Sequence, residues 1–277
     1  MQRFLAGILF LSAFSALALS QAKQDAATPP SVHIEHLGKF PVVELRRYTI
    51  KEGERQHFAQ YFESYFPEAF EQLGTIVAGS FFERDKPNGF TWIRGFHTIE
   101  DRAISSGEFY YGPVWREHRA TMNGLIVDSD NVMLLRALSP ERSVTILPAM
   151  DPVKEPDGAT GVVVAQIFSV KPNSVDTFAQ QAEPAFARYR AAGAREAGVF
   201  ATLDVPNNFP QLPLRADGPF RVWLGVVKDD QVLETQLMPV LRQSQQSFSS
   251  AELLRATPEL IILHPTHRSR LRWLPQG

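Results

Sequence analysis

Along this chain the apolar positions switch between a period of two and a period of three to four, and the switches mark out its elements. Residues 42–50, Val-Val-Glu-Leu-Arg-Arg-Tyr-Thr-Ile, form a β-branched run of strand length that Gly53 ends. Phe58, Phe62, Tyr65, Phe66, Ala69, Phe70 and Leu73 then recur at helical spacing, giving one greasy helix face, and Gly74 stops it. Residues 75–84 and 90–97 predict two strands about the turn Lys86-Pro87-Asn88-Gly89, where Asn-Gly is expected to supply the positive φ of a tight hairpin. Helical spacing returns over 99–108 and 114–125, and 131–138 closes the block as a strand. The order is βαββαβ, the ferredoxin-like arrangement of one antiparallel sheet with helices on one face.

A second block repeats that order, with strands over 162–170, 194–203, 220–228 and 259–264 and helices over 175–192 and 231–254. Tyr48 lines up with Phe168, Lys51 with Lys171, Phe58-Ala59-Gln60 with Phe178-Ala179-Gln180 and Phe66 with Phe186, all 120 positions apart. An insertion within 206–218 lengthens the offset to 131, at which Trp92 meets Trp223. These matches point to two copies of one module, residues 39–138 and 161–265. Between them, 139–160 carries Pro140, Pro148, Pro152, Pro156 and Gly158 and reads as a linker in which 144–147 has room for an edge strand. Pro67 and Pro184 fall within predicted helices, where kinks are expected. Residues 266–277, with Arg268, Arg270 and Arg272, read as a solvated basic tail.

Each module hides one sheet face under its helices and leaves the other bare, and so large a half-apolar surface needs a cover. The economical cover is the other module's sheet. That gives an α+β fold in which two ferredoxin-like domains build a barrel-type arrangement within one chain, with a homodimer as the alternative pairing. On the first strand Val43, Leu45, Arg47 and Thr49 share one face, and Glu44, Arg46 and Tyr48 the other. The plainer face is expected under the helices, which assigns Glu44, Arg46 and Tyr48 to the cavity between the sheets. Trp92 and Arg94 share a face of the third strand and extend that wall. In the second module the equivalents Val164, Gln166 and Phe168 are apolar or neutral, so a polar site belongs to the first. Glu44, Arg46, Tyr48, Trp92 and Arg94 are therefore the ligand-binding candidates; in the bland alternative Glu44 merely neutralises its arginine neighbours.

Residues 44–53, Glu-Leu-Arg-Arg-Tyr-Thr-Ile-Lys-Glu-Gly, the aromatic helix ending at Gly74, Gly79, Asn88, Asp101-Arg102 and Trp115 together resemble the NIPSNAP domain over roughly residues 41–138. The second copy looks like a diverged version. The resemblance implies a dimeric α+β barrel, a superfamily that also includes the antibiotic-biosynthesis monooxygenases and the haem-binding chlorite dismutase group. Arg94 stands where the family usually has Trp, and Trp92 lies two residues earlier on the same strand face. The family has no settled reaction, so the resemblance implies a fold far more than an activity.

Composition narrows the rest. Lys plus Arg total 28 against 30 Asp plus Glu, and a net charge of −2 provides no basic field for nucleic acid. The chain has no cysteine, which excludes disulfides, thiolate chemistry and cysteine metal sites. Met1-Gln2-Arg3, the uncharged run 4–19 and Ser20-Gln21-Ala22 form a secretory signal peptide with cutting expected after Ala22, so the mature chain is expected in the periplasm or outside the cell. An uncleaved anchor is the competing reading, and residues 23–38 form a flexible polar segment. His97 and His118 stand singly, His33 and His36 fall in the entry segment, and His264/His267 match no zinc spacing, so no metal is predicted. Two functional readings result. One is an exported barrel, without a cofactor, that binds a small, partly apolar, anionic molecule through the five candidates. The other is a cofactor-independent or haem-dependent monooxygenase-like enzyme using the barrel cavity, with Glu44 or a histidine as base or ligand.

Overall fold

In the computed structural model, which describes residues 35–36, 40–249 and 252–274, the strands and helices follow the predicted order. The segment expected to be a signal peptide and nearly all of the polar segment expected after it lie outside the described residues. A short strand, β1 (Glu35–His36), is followed by β2 (Val42–Ile50), α1 (Arg55–Tyr65), α2 (Pro67–Gln72), β3 (Ile76–Glu83), β4 (Gly89–Phe96), α3 (Ile99–Tyr110), α4 (Pro113–Leu125) and β5 (Ile126–Ala137). The linker forms a 3-10 turn at Pro140–Arg142 and the strand β6 (Thr145–Ile146), which pairs with β1. The second module supplies β7 (Val162–Ser169), α5 (Val175–Ala191), β8 (Arg195–Thr202), β9 (Phe220–Val227), α6 (Asp230–Val232), a π-helical turn (Leu233–Leu237), α7 (Met238–Ser249) and β10 (Glu259–Pro265). Among the described residues no helix is long and apolar enough to cross a membrane.

Local chemistry explains where these elements begin and end. The kink expected at Pro67 is a break: α1 stops at Tyr65 and Pro67 opens α2, where its missing N–H leaves no helical hydrogen bond unmade. Pro184 instead lies within α5 without ending it. Gly74 takes φ 79° beyond α2, the left-handed conformation that closes a helix. The hairpin turn differs from expectation, because neither Asn88 nor Gly89 has a positive φ. The Gly89 N–H closes the turn onto the Lys86 carbonyl at 2.8 Å. Glycine is needed there for space, since a Cβ would lie 2.9 Å from the Glu83 Cβ.

Eight strands close into one barrel in the order β10-β3-β4-β2-β5-β8-β9-β7. Each module keeps its ferredoxin-like order, and the seams are β10 on β3 and β5 on β8, so the chain closes the barrel by itself. Register places Arg46 opposite Trp92 and Gln166 opposite Trp223, the pairs that the offsets of 120 and 131 relate. Register shifts at Gly79 in β3 and Gly198 in β8 also correspond. At both, an aromatic ring two residues on, Phe81 or Phe200, occupies the space a Cβ would need. Arg47 clasps Glu83 at 2.9 Å and Glu259 at 2.7 Å, tying β2 to β3 and β10 at the barrel end.

The barrel interior reverses the expected face assignment. Val43 and Leu45 point inward and pack with Phe81, Ile93, Leu135 and Leu224. Glu44, Arg46 and Tyr48 lie on the opposite face, beneath the helices. Strand alternation separates two faces without saying which is which. The closed lumen is the core that both modules share, and burying uncompensated charge there is penalised on every side. The apolar face therefore turned inward.

The basic segment after β10 is also corrected: residues 266–274 are docked. Leu271 joins the barrel core at 1% exposure, its N–H bonded to the Ala78 carbonyl at 2.8 Å. Arg268 pairs with Glu68, Arg270 with Glu71 and Arg272 with Glu155, so these cations meet carboxylates on α2 and the linker. Leu271→Ala is expected to cost about 2–4 kcal/mol in denaturant unfolding, as for other core leucines. Arg270→Ala, which breaks a part-exposed pair, is expected to cost less than about 1 kcal/mol. Equal losses from the two substitutions would contradict this division.

Candidate functional site

β2 and β4 pair so that Glu44 faces Arg94 and Arg46 faces Trp92, all four on the helix-covered side. Thr98 caps α3, its hydroxyl oxygen accepting the Asp101 N–H at 3.0 Å, and the first turn carries Arg102 down onto the sheet. Three guanidinium groups then converge on one carboxylate. Arg46 donates from Nη1 to Glu44 Oε2 at 2.8 Å, Arg94 from Nε to Oε2 at 2.7 Å, and Arg102 from Nε to Oε1 at 2.6 Å. All four side chains are essentially unexposed. Burial alone would raise the Glu44 pKa, but Arg94, Arg46 and Arg102 outweigh it and hold the carboxyl far below the usual range.

One carboxylate cannot balance three guanidiniums, so two positive charges remain inside this layer. Aromatic faces share the load: Arg46 lies 5.6 Å from the Tyr48 ring centroid and 5.5 Å from that of Trp92, and Arg94 lies 5.3 Å from Phe70. Arg46 also donates from Nε to the Tyr48 hydroxyl at 2.9 Å. Several donors have no protein partner, namely both terminal nitrogens of Arg94, Nη2 of Arg102 and the Trp92 indole N–H.

Beside the cluster a cavity of about 380 Å³ opens between the sheet and α1–α4. Arg46, Tyr48 and Trp92 form its floor, Phe62 and Phe70 one wall, and Phe109, Tyr110, Trp115 and Met122 another. Phe209, Gln211 and Leu212, from the second module's insertion, complete it. Burial raises the Tyr110 hydroxyl pKa, with Arg94 and Arg46 opposing and Tyr48 and Glu44 reinforcing the rise, so Tyr110 is a proton donor at neutral pH. This arrangement suits an anionic group against the arginines with an apolar body among the rings.

All five sequence candidates meet here. Arg46, Tyr48 and Trp92 line the cavity, while Glu44 and Arg94 sit behind them. Arg102, Asn207, Asn208 and Phe209 were missed. Arg102 Nη1 donates to Asn208 Oδ1 at 2.8 Å and Asn207 Oδ1 at 3.1 Å, so the insertion reaches across to the first module. In the second module Gln166 takes the place of Arg46 and accepts the Tyr189 hydroxyl at 2.9 Å within an aromatic core. The histidines lie elsewhere: His118 meets Tyr61 at 2.8 Å and stacks on Tyr65, and His97 stacks on Phe40. Among the described residues no three acidic or histidine side chains converge as a metal set.

Removing the carboxylate leaves the arginines facing one another, so Glu44→Gln is expected to cost about 3–5 kcal/mol in unfolding free energy. The sign of the pH effect follows from the lowered pKa. Glu44 contributes full stability above the ordinary carboxylate value of 4.5 and loses it as the pH falls toward the folded-state value. As the pH falls below 4.5 the parent is expected to lose stability more steeply than Glu44→Gln, measured by denaturant titrations at successive pH values. Parallel slopes would contradict the assignment.

No family model matches the sequence, and no curated protein matches it. Solved structures do. An anthrone oxidase-like protein is 13% identical, with 86% of this chain and 97% of that one covered and a TM-score of 0.53. A protein provisionally described as a monooxygenase, from Lactobacillus acidophilus, is 15% identical over 82% of this chain and 94% of that one, with a TM-score of 0.51. A NIPSNAP-like domain protein from Burkholderia xenovorans is 26% identical over 39% of this chain and 90% of that one, with a TM-score of 0.32. The likenesses that span more than four fifths of the chain concern the fold: two ferredoxin-like units in one polypeptide close an α+β barrel of the dimeric α+β barrel type.

Proposed function

We propose that the protein binds a small, planar, partly apolar anion in the cavity between the first module's sheet and helices. The observation that carries this reading is the buried excess of two positive charges beside an aromatic cavity, with Arg46 shared by both. A buried cation without an opposite charge is unfavourable by several kcal/mol, and an anionic ligand relieves that penalty while its body covers apolar rings. The binding reading favoured from sequence thus keeps its residues and changes its location, from the barrel lumen to the layer beneath the helices. With the signal peptide expected from the sequence, the proposal is of an exported binding protein.

The enzyme reading is less well served by these side chains. Glu44, the candidate base, is saturated by three guanidiniums and held ionised far below neutral pH, which makes it a poor proton acceptor. A histidine-ligated haem does not fit the cavity, because its walls carry no histidine and His97 and His118 are engaged elsewhere. Haem added to the purified protein is accordingly expected to give no shifted Soret band that saturates at one equivalent; a stoichiometric one would favour the haem enzyme.

The binding reading is tested with 2-naphthoate and its neutral counterpart 2-naphthamide, followed by quenching of tryptophan emission, since Trp92 and Trp115 line the cavity. Naphthoate is expected to bind more tightly than the amide by about tenfold or more, the factor for one charge-assisted hydrogen bond. Arg46→Met should abolish that preference, and thermal unfolding should show the variant folded. Equal affinity of the parent for both probes, or no binding, would overturn the proposal.

A further inference from the structure

The insertion that breaks the repeat offset crosses from the second module to roof the first module's cavity, and its contacts with the arginine cluster are chemically selective. Arg102 is held at one end by the Glu44 carboxylate and at the other by two neutral amide oxygens, Asn208 Oδ1 at 2.8 Å and Asn207 Oδ1 at 3.1 Å. Arg47 and Arg142, by contrast, complete their contacts on acids, Arg47 on Glu83 and Glu259 and Arg142 on Glu183 and Glu196. An amide oxygen orients a guanidinium as a carboxylate does but cancels none of its charge. The same two asparagines shape the loop. Asn207 Nδ2 donates to the Leu212 carbonyl at 2.9 Å, the Phe209 N–H donates to Asn207 Oδ1 at 3.2 Å, and Asn208 Nδ2 donates to the Ile99 carbonyl at the start of α3. Phe209 is thereby laid nearly parallel to Tyr110, with centroids 6.1 Å apart.

We propose that Asn207 and Asn208 are positioning residues that set the anion selectivity of the cavity, by fixing Arg102 and the Phe209 roof while leaving the cluster's two positive charges uncancelled. This rests on the binding reading above and adds the source of its charge preference. A carboxylate in either position would still accept from Arg102 but would lose the amide's donation to the Leu212 or Ile99 carbonyl, and it would remove one of those charges.

The test compares the parent with Asn208→Asp, and with Asn207→Asp as a second variant should the first fail to fold. Each aspartate variant loses one donated amide hydrogen bond, so a modest loss of thermal stability is expected with the fold kept, and 2-naphthoate affinity is expected to fall about tenfold while 2-naphthamide affinity stays within about twofold. The double variant Asn207→Ala/Asn208→Ala, which releases the roof, is expected to weaken both probes. A purely structural role would make the aspartate variants shift both affinities alike or neither, and either result overturns the inference. If the parent itself does not distinguish naphthoate from naphthamide, the binding reading fails and takes this inference with it. If the parent distinguishes them and the aspartate variants do so equally well, only the role of the asparagines fails.

Discussion

A single buried carboxylate organises the first half of this molecule. Glu44 joins β2, β4 and α3 through Arg46, Arg94 and Arg102, and Arg102 passes the connection to a loop of the second half. Without Glu44 three guanidiniums would face one another uncompensated beneath the helices. With it, the layer closes but stays positively charged. The aromatic side chains around the cluster, Tyr48, Phe70 and Trp92 among them, offer ring faces to those cations and leave room for an occupant of the same polarity as the missing charge.

Barrel closure explains why only one half carries such a site. Both modules turn their plainest strand faces into a common lumen, which becomes a shared apolar core rather than a binding cavity. Apart from the Arg47–Glu83–Glu259 ion pairs at the barrel end, the polar chemistry of the first half lies in the sheet–helix layer. The first half fills its layer with charge. The second fills most of the equivalent space with Phe168, Phe186, Tyr189 and Trp223 beside the buried guanidinium of Arg221, and contributes the insertion that reaches over to its neighbour. One half thus holds the site and the other supplies part of its wall.

Much of this was legible in the sequence because periodicity and repetition survive without coordinates. The offsets of 120 and 131 reappear as strand register, and the five residues chosen for their polarity on otherwise apolar strands do converge. Which face of β2 turned inward was not legible, since alternation is symmetric until a partner sheet is placed. Arg102 was hidden by its position on a helix, where one charged residue among polar neighbours gives no sign of pointing inward. Asn207 and Asn208 lie in a segment with no period, and only the fold brings it to α3. The docked segment after β10 did carry a signal: Ser269, Leu271 and Trp273 alternate with Arg268, Arg270 and Arg272, a period of two beneath the charge. The three arginines mask that alternation in the sequence.

A crystal structure of the protein with 2-naphthoate tests the central claim most directly. The account places the carboxylate within hydrogen-bonding distance of Arg46 and the rings against Trp92 and Tyr110, beneath Phe209. A probe found in the barrel lumen, or only on the outer surface with the sheet–helix cavity unchanged, would contradict it.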